Sequence, residues 1–159
     1  MKEITIQSKI SIYESVNELP KDVQNLLKKA TEIRKNAYAP YSKFKVGAAI
    51  LLDNNQIILG TNQENAAYPS GLCAERVALF QASSIYPEAK ILKIVITASE
   101  INENSTPIPP CGSCRQSISE YEIKQGSDIE IYFMGEMGRI YKSESLENLL
   151  PLIFNKKLL

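Results

Sequence analysis

The chain contains no histidine and no tryptophan. Without histidine, no Ser-His-Asp or Cys-His nucleophile arrangement can form, and no metal site can use an imidazole. Any bound metal must be held by thiolates, carboxylates or carbonyls. Cysteine is scarce as well. Cys73, Cys111 and Cys114 are the three in the chain, an odd number that rules out a complete intrachain disulfide framework. Free thiols survive in a reducing compartment, and we expect the cytoplasm. Net charge is absent, with 18 Lys and Arg against 18 Asp and Glu. Nucleic-acid binding rests on a basic excess, so a surface that tracks phosphates is not expected. Long apolar runs are missing too. The start, M-K-E-I-T-I-Q-S-K-I, has no apolar signal-peptide core, and Val46 to Leu52 is far too short to span a bilayer. We therefore expect no nucleic-acid partner and no membrane.

What is present reads as one globular domain. The 159 residues are 44% hydrophobic and 23% charged, with no repeat, linker or low-complexity tract, so a single domain over 1–159 is expected. A chain of this size can bury about 70% of its unfolded surface without a disulfide staple. Ile4, Ile6, Ile10 and Ile12 fall on even positions and suggest a short N-terminal strand or hairpin, within an extension of about 15 residues. Val23, Leu26, Leu27, Ala30 and Ile33 then recur at helical spacing after Pro20, and the helix should end near Ala39-Pro40. Phe44 to Leu52 and Gln56 to Thr61 read as an antiparallel pair about a turn at 53–55. Cys73 to Ser84 is helical in pattern, Ile91 to Ala98 is a buried strand, and Ile101 to Pro110 is a loop. Cys111 to Lys124 is a further helix with Gly126 just past its end, and Asp128 to Met134 is another strand. Arg139 to Lys142 extends a hairpin, and Ser145 caps a short last helix that Pro151 stops. This order implies a mixed sheet with helices on its faces, and the cysteine-bearing helix starts should gather at one edge of it.

The chemistry concentrates in Cys73-Ala74-Glu75 and Pro110-Cys111-Gly112-Ser113-Cys114. Cys111 and Cys114 are three apart at a helix start, so their sulfurs share a side. A helix N-terminus favours the thiolate, which is the metal-binding form. A C-x-x-C pair alone also suits a redox dithiol. Adding Cys73 gives three thiolates, a set that suits zinc. A closed structural site needs four Cys or His ligands, which this chain does not have. Three protein ligands with one open position is the catalytic arrangement. Glu75 then has two readings, a fourth ligand or a carboxylate that carries protons beside the metal. With Glu75 read as a non-ligand, the set together with P-C-x-x-C resembles the constellation described for zinc deaminases.

On three segments the chain resembles the nucleoside cytidine deaminases of the small, three-cysteine, homotetrameric type. These are A-Y-A-P-Y-S-K-F-K-V-G-A-A at 37–49, N-Q-E-N-A-A-Y-P-S-G-L-C-A-E-R at 62–76, and P-C-G-S-C-R-Q at 110–116. The resemblance runs from about Ala37 to Phe154 and implies a three-layer α/β/α fold around a mixed sheet. It implies one zinc ion per chain on Cys73, Cys111 and Cys114, with Glu75 as the proton carrier. It assigns Asn62 and Glu64 to the ribose hydroxyls, Phe44 to the face of the pyrimidine, and the Ala74 backbone to the base. Taken singly, Phe44 also reads as core, and Asn62 and Glu64 as a solvated strand end. Arg76 matches a cation that offsets the charge of the thiolates, whereas Arg115 serves equally well as a structural partner. Tyr68 and Phe154 match residues that complete a neighbour's site, so a homotetramer with shared active sites is implied. The implied activity is hydrolytic deamination of cytidine and deoxycytidine, a pyrimidine salvage reaction. Another cytosine nucleoside as substrate, or a non-catalytic zinc-binding interaction domain, are the alternatives.

Overall fold

A computed structural model describes residues 1–99 and 106–155. Six strands form one mixed sheet among the described residues: β1 (Ser11–Tyr13), β2 (Val46–Leu52), β3 (Ile57–Thr61), β4 (Ile91–Ala98), β5 (Glu130–Met134) and β6 (Ile140–Ser143). Their spatial order is β1-β6-β5-β4-β2-β3. Of these six strands only β4 and β5 pair in parallel, and the other neighbours in the sheet are antiparallel. Among the described residues three α-helices join them: α1 (Lys21–Arg34), α2 (Ala74–Ile85) and α3 (Gly112–Gln125).

The two sheet faces follow from period-two alternation. Ala49, Val95, Tyr132 and Met134 project to one face, where Val23, Leu26, Leu27 and Ala30 of α1 cover them. Ala48, Ile50, Ile94, Ile96, Ile131 and Phe133 project to the other. There Ala74, Ala78, Leu79 and Ala82 of α2 pack with Ile118 of α3. The result is three layers, α/β/α. Strands β2, β4 and β5 are sandwiched, which explains their nearly continuous apolar sequence.

Several boundaries differ from the sequence expectation, each for a local reason. Helix α1 stops at Arg34 and does not continue toward Ala39. Beyond it the backbone bonds tighten to the i−3 pattern, and Tyr38 then pairs with the 62–64 segment: its N–H donates to the Asn62 carbonyl at 3.1 Å, and its carbonyl accepts from Glu64 N–H at 2.9 Å. Strand β2 begins at Val46, because the Phe44 N–H and carbonyl both bond to side chains and not to a strand. In the N-terminal extension only Ser11–Tyr13 is a strand, paired with β6. The expected last helix is a single 3₁₀ turn, Leu146–Asn148, with the Ser145 side chain accepting from Glu147 N–H. Residues 101–105 of the expected 101–110 loop lie outside the described residues.

Two glycines answer geometric demands. Gly126 closes α3 at φ +64°, the left-handed conformation expected just past a helix end. Gly60 in β3 lets α2 lie directly on the sheet, because a Cβ there would stand 2.4 Å from the Ala74 carbonyl oxygen and 2.6 Å from Ala78 N. The first turn of α2 is thereby seated, and that turn carries Glu75.

Candidate active site

The start of β2, the ends of β3 and β4, and the N-termini of α2 and α3 meet at one edge of the sheet. Cys73 is the N-cap of α2 and Cys111 the N-cap of α3, while Cys114 lies in the first turn of α3. Neither N-cap side chain bonds back to its helix. The three sulfurs converge within 4.8 Å of one another, with Cys73 and Cys111 at 3.7 Å. Two thiolates each about 2.3 Å from a tetrahedral zinc stand about 3.8 Å apart, so the donor set fits the ion. Cys114 is fully buried, Cys73 partly buried and Cys111 exposed.

The electrostatics fit a shared cation. The Cys73 thiol is drawn well below the usual thiol range, first by hydrogen bonding with Cys114 and further by Cys111 and Arg76, against the opposing effect of burial. Cys114 moves upward, through the same contact with Cys73, through burial and through the nearby Glu75 charge. The opposed shifts mark sulfurs close enough for each to feel its neighbour's charge, the arrangement in which one divalent ion can be shared. Arg76 lies beside this set, and its guanidinium donates to the Gly71 carbonyl at a long 3.5 Å. Its Nε is buried and has no hydrogen-bond partner among the described residues. A donor left open beside thiols fits a cluster of thiolate character.

Glu75 is only 5% exposed. Burial pushes its carboxyl above the usual range, and the Cys73 charge adds to the push. The carboxyl contacts Cys114 from one side but does not belong to the three-sulfur set. Phe44, Asn62, Glu64, Tyr68, Cys73, Glu75, Arg76 and Cys111 all line one cavity of about 460 Å³. That volume lies within the roughly 300–1,000 Å³ of small-molecule sites. Ala74 is fully buried as the first residue of α2, where a backbone N–H has no partner within the helix.

Other expected residues carry more local structure than the sequence implied. The Asn62 carboxamide accepts from Val46 N–H at 2.8 Å and donates to the Phe44 carbonyl at 2.8 Å. The Glu64 carboxylate accepts from the N–H groups of Tyr41 and Ser42 at 2.9 and 3.3 Å, and from the Ser42 hydroxyl. The Ser42 contact comes first among the causes that hold its pKa low. Tyr68 sits at the cavity mouth, 80% exposed. Phe154 lies outside this cavity, 59% exposed, its carbonyl accepting from the Gln116 side chain at 2.9 Å. Arg115 donates to the Pro110 carbonyl at 2.7 Å and the Leu149 carbonyl at 2.8 Å, so its guanidinium ties the loop before Cys111 to the C-terminal segment. Sequence reasoning missed Ser42, although a hydroxyl two residues before Phe44 is the signal of a side-chain turn.

Residues 20–127 match the family model described as the cytidine and deoxycytidylate deaminase zinc-binding region. The chain belongs to this deaminase family. It is 40% identical over 128 residues to a cytidine deaminase of Halalkalibacterium halodurans, covering 79% of this chain and 91% of that protein. A cytidine deaminase of Sporosarcina psychrophila is 37% identical over 137 residues, covering 86% and 93%. A crystal structure of cytidine deaminase from Burkholderia pseudomallei superposes with a TM-score of 0.71 at 33% identity, covering 86% of this chain and 100% of that one. The family's metal and the three-cysteine cluster agree on one zinc ion per chain. Among the described residues, no helix is long and apolar enough to cross a membrane.

Proposed function

We propose that this chain hydrolyses cytidine and deoxycytidine to uridine and deoxyuridine with release of ammonia, using Cys73, Cys111 and Cys114 for zinc and Glu75 for proton transfer. The observation that carries the reading is the convergence of three sulfurs and a buried carboxyl in one cavity with Phe44, Asn62 and Glu64. Zinc bound there supplies Lewis acidity, which makes water nucleophilic near neutral pH. Phe44 gives the flat base an apolar wall, and the Ala74 backbone contacts the base. Asn62 and Glu64 hold the sugar hydroxyls. Glu75 takes a proton from the attacking water and delivers it to ring nitrogen 3 as the water oxygen bonds to ring carbon 4. Glu75 then carries the remaining proton of the hydroxyl on ring carbon 4 to the exocyclic amino group, the carbon–nitrogen bond breaks as the carbonyl forms, and ammonia leaves. Its burial suits this work, since a raised pKa brings a carboxyl closer to the operating pH. Arg76 offsets the negative charge of three thiolates on one divalent ion. The reaction returns cytosine nucleosides to the uracil series, a pyrimidine salvage step. Three unpaired cysteines fit a reducing cytoplasm.

Substrate size is a direct test. The chain has no net charge, and Glu64 places a carboxylate in the cavity, so a phosphate near it meets repulsion. Cytidine should exceed its 5′-monophosphate in kcat/KM by about a hundredfold, as like-charge juxtaposition costs several kcal/mol. Equal turnover of both compounds, measured by ammonia release, would remove the nucleoside assignment.

We also propose that the active form is a homotetramer with shared sites. In the single chain Tyr68, in the loop before α2, is 80% exposed, and Leu152 and Phe154 near the C-terminus are exposed at 82% and 59%, apolar surface that a neighbouring chain would cover. Mixing supplies the check. A chain truncated before Leu152 retains Glu75, and a Glu75→Gln chain retains the tail. Mixed oligomers of the two should regain part of the activity that each lacks alone. An active monomer, or verified mixed oligomers without recovery, argues for self-contained sites.

A further inference from the structure

The 41–44 turn is stitched to the end of β3 at two points. At the first, the Glu64 carboxylate accepts from Tyr41 N–H at 2.9 Å, from Ser42 N–H at 3.3 Å and from the Ser42 hydroxyl. At the second, Asn62 bonds both to the Phe44 carbonyl and to Val46 N–H, each at 2.8 Å. The Ser42 hydroxyl oxygen joins the two, since it also accepts from Phe44 N–H at 3.0 Å. Lys43 lies between them at φ +60°, a left-handed conformation that non-glycine residues seldom adopt. Those hydrogen bonds offset its strain. One hydroxyl thus touches both the carboxylate at the sugar end of the cavity and the backbone of the aromatic at its base end.

Acceptor counting gives this network a consequence. A carboxylate offers about four lone-pair positions. Three donors of the 41–42 turn already use Glu64, which leaves about one for a ligand. Held this way, Glu64 presents a fixed acceptor and not a swinging one. A site that presents a fixed acceptor to a particular hydroxyl discriminates against the analogue that lacks it, because that acceptor then gains no partner from the ligand.

We propose that Ser42 is a positioning residue for sugar specificity: its hydroxyl fixes the Glu64 carboxylate relative to Phe44 so that the remaining acceptor meets the 3′-hydroxyl of the bound nucleoside. The proposal rests on the deaminase reading above. The 3′-hydroxyl is singled out because cytidine and deoxycytidine share it, whereas the 2′-hydroxyl separates them.

Deoxycytidine and 2′,3′-dideoxycytidine differ in that hydroxyl alone, so the pair isolates it. Steady-state kinetics on both, for the zinc-loaded wild type, Ser42→Ala and Ser42→Thr, give the test. The wild type should prefer deoxycytidine. In Ser42→Ala the KM for deoxycytidine should rise about tenfold, the scale of one hydrogen bond to a charged group, with kcat held within about twofold. The KM for the dideoxy compound should barely move, so the preference narrows about tenfold. Ser42→Thr, which retains the hydroxyl, should restore it. Equal losses on both substrates, a loss confined to kcat, an unchanged KM, or a Ser42→Ala protein that no longer folds each overturn the proposal. A wild-type enzyme that releases no ammonia from deoxycytidine is a different result, and overturns the functional reading itself.

Discussion

Glu75→Gln should retain zinc and fold yet lose turnover of cytidine by about 10²–10⁴-fold, the range of general acid–base groups. The substitution keeps the size and shape of a side chain that is only 5% exposed, so packing against the first turn of α2 should survive. What it removes is the ability to accept a proton from water and release it at two successive points on the base. Zinc retention is the informative half. The carboxyl stands beside Cys114 but outside the three-sulfur set, so the metal should not depend on it. A carboxamide also lacks the desolvated negative charge that burial disfavours, so thermal stability should stay equal or rise slightly. The measurements are metal content by elemental analysis, a melting curve and ammonia release. A folded Glu75→Gln protein that has lost its zinc would instead make Glu75 a ligand, and the proton-transfer assignment would fall.

Much of this site was readable along the chain, because its decisive features are local. Three cysteines without any histidine set the donor chemistry, and Pro110 and the apolar periodicities placed Cys73 and Cys111 at helix starts. Layering was readable for the same reason: alternation in β2, β4 and β5 sorts their side chains between two faces. The misplaced boundaries are those decided at a distance. Nothing near Arg34 announces that α1 ends there. The competing partner of Tyr38 is the 62–64 segment, far along the chain. The start of β2 shifted because Phe44 is engaged by Ser42 and Asn62. The role of Arg115 was equally open from sequence, since its acceptors, Pro110 and Leu149, lie on opposite sides of it in the chain. Ser42 escaped notice because its partner Glu64 is a carboxylate with a functional reading of its own. Only the folded geometry shows the two as one unit.

Cys111→Ser should abolish zinc retention on dialysis and reduce ammonia release to background, with a lower melting temperature as a second consequence. Cys111 is the exposed member of the sulfur set, so its replacement by serine disturbs no core packing. The effect therefore isolates the metal. A hydroxyl does not ionise near neutral pH and is a far poorer zinc ligand than a thiolate, so two sulfurs remain to hold a divalent ion. Binding free energy for the folded state adds to folding free energy, and losing it lowers stability in proportion to the affinity lost. Cys114→Ser should be harsher for a different reason: Cys114, in the first turn of α3, is fully buried, and the new hydroxyl would need a partner there. Comparing the two variants separates loss of metal from loss of packing. Cys111→Ser should refold reversibly and match the chelator-treated wild type in melting temperature, whereas Cys114→Ser should melt below both. Full activity of the chelated wild type, with zinc shown to be absent, would contradict the metal's role in the reaction.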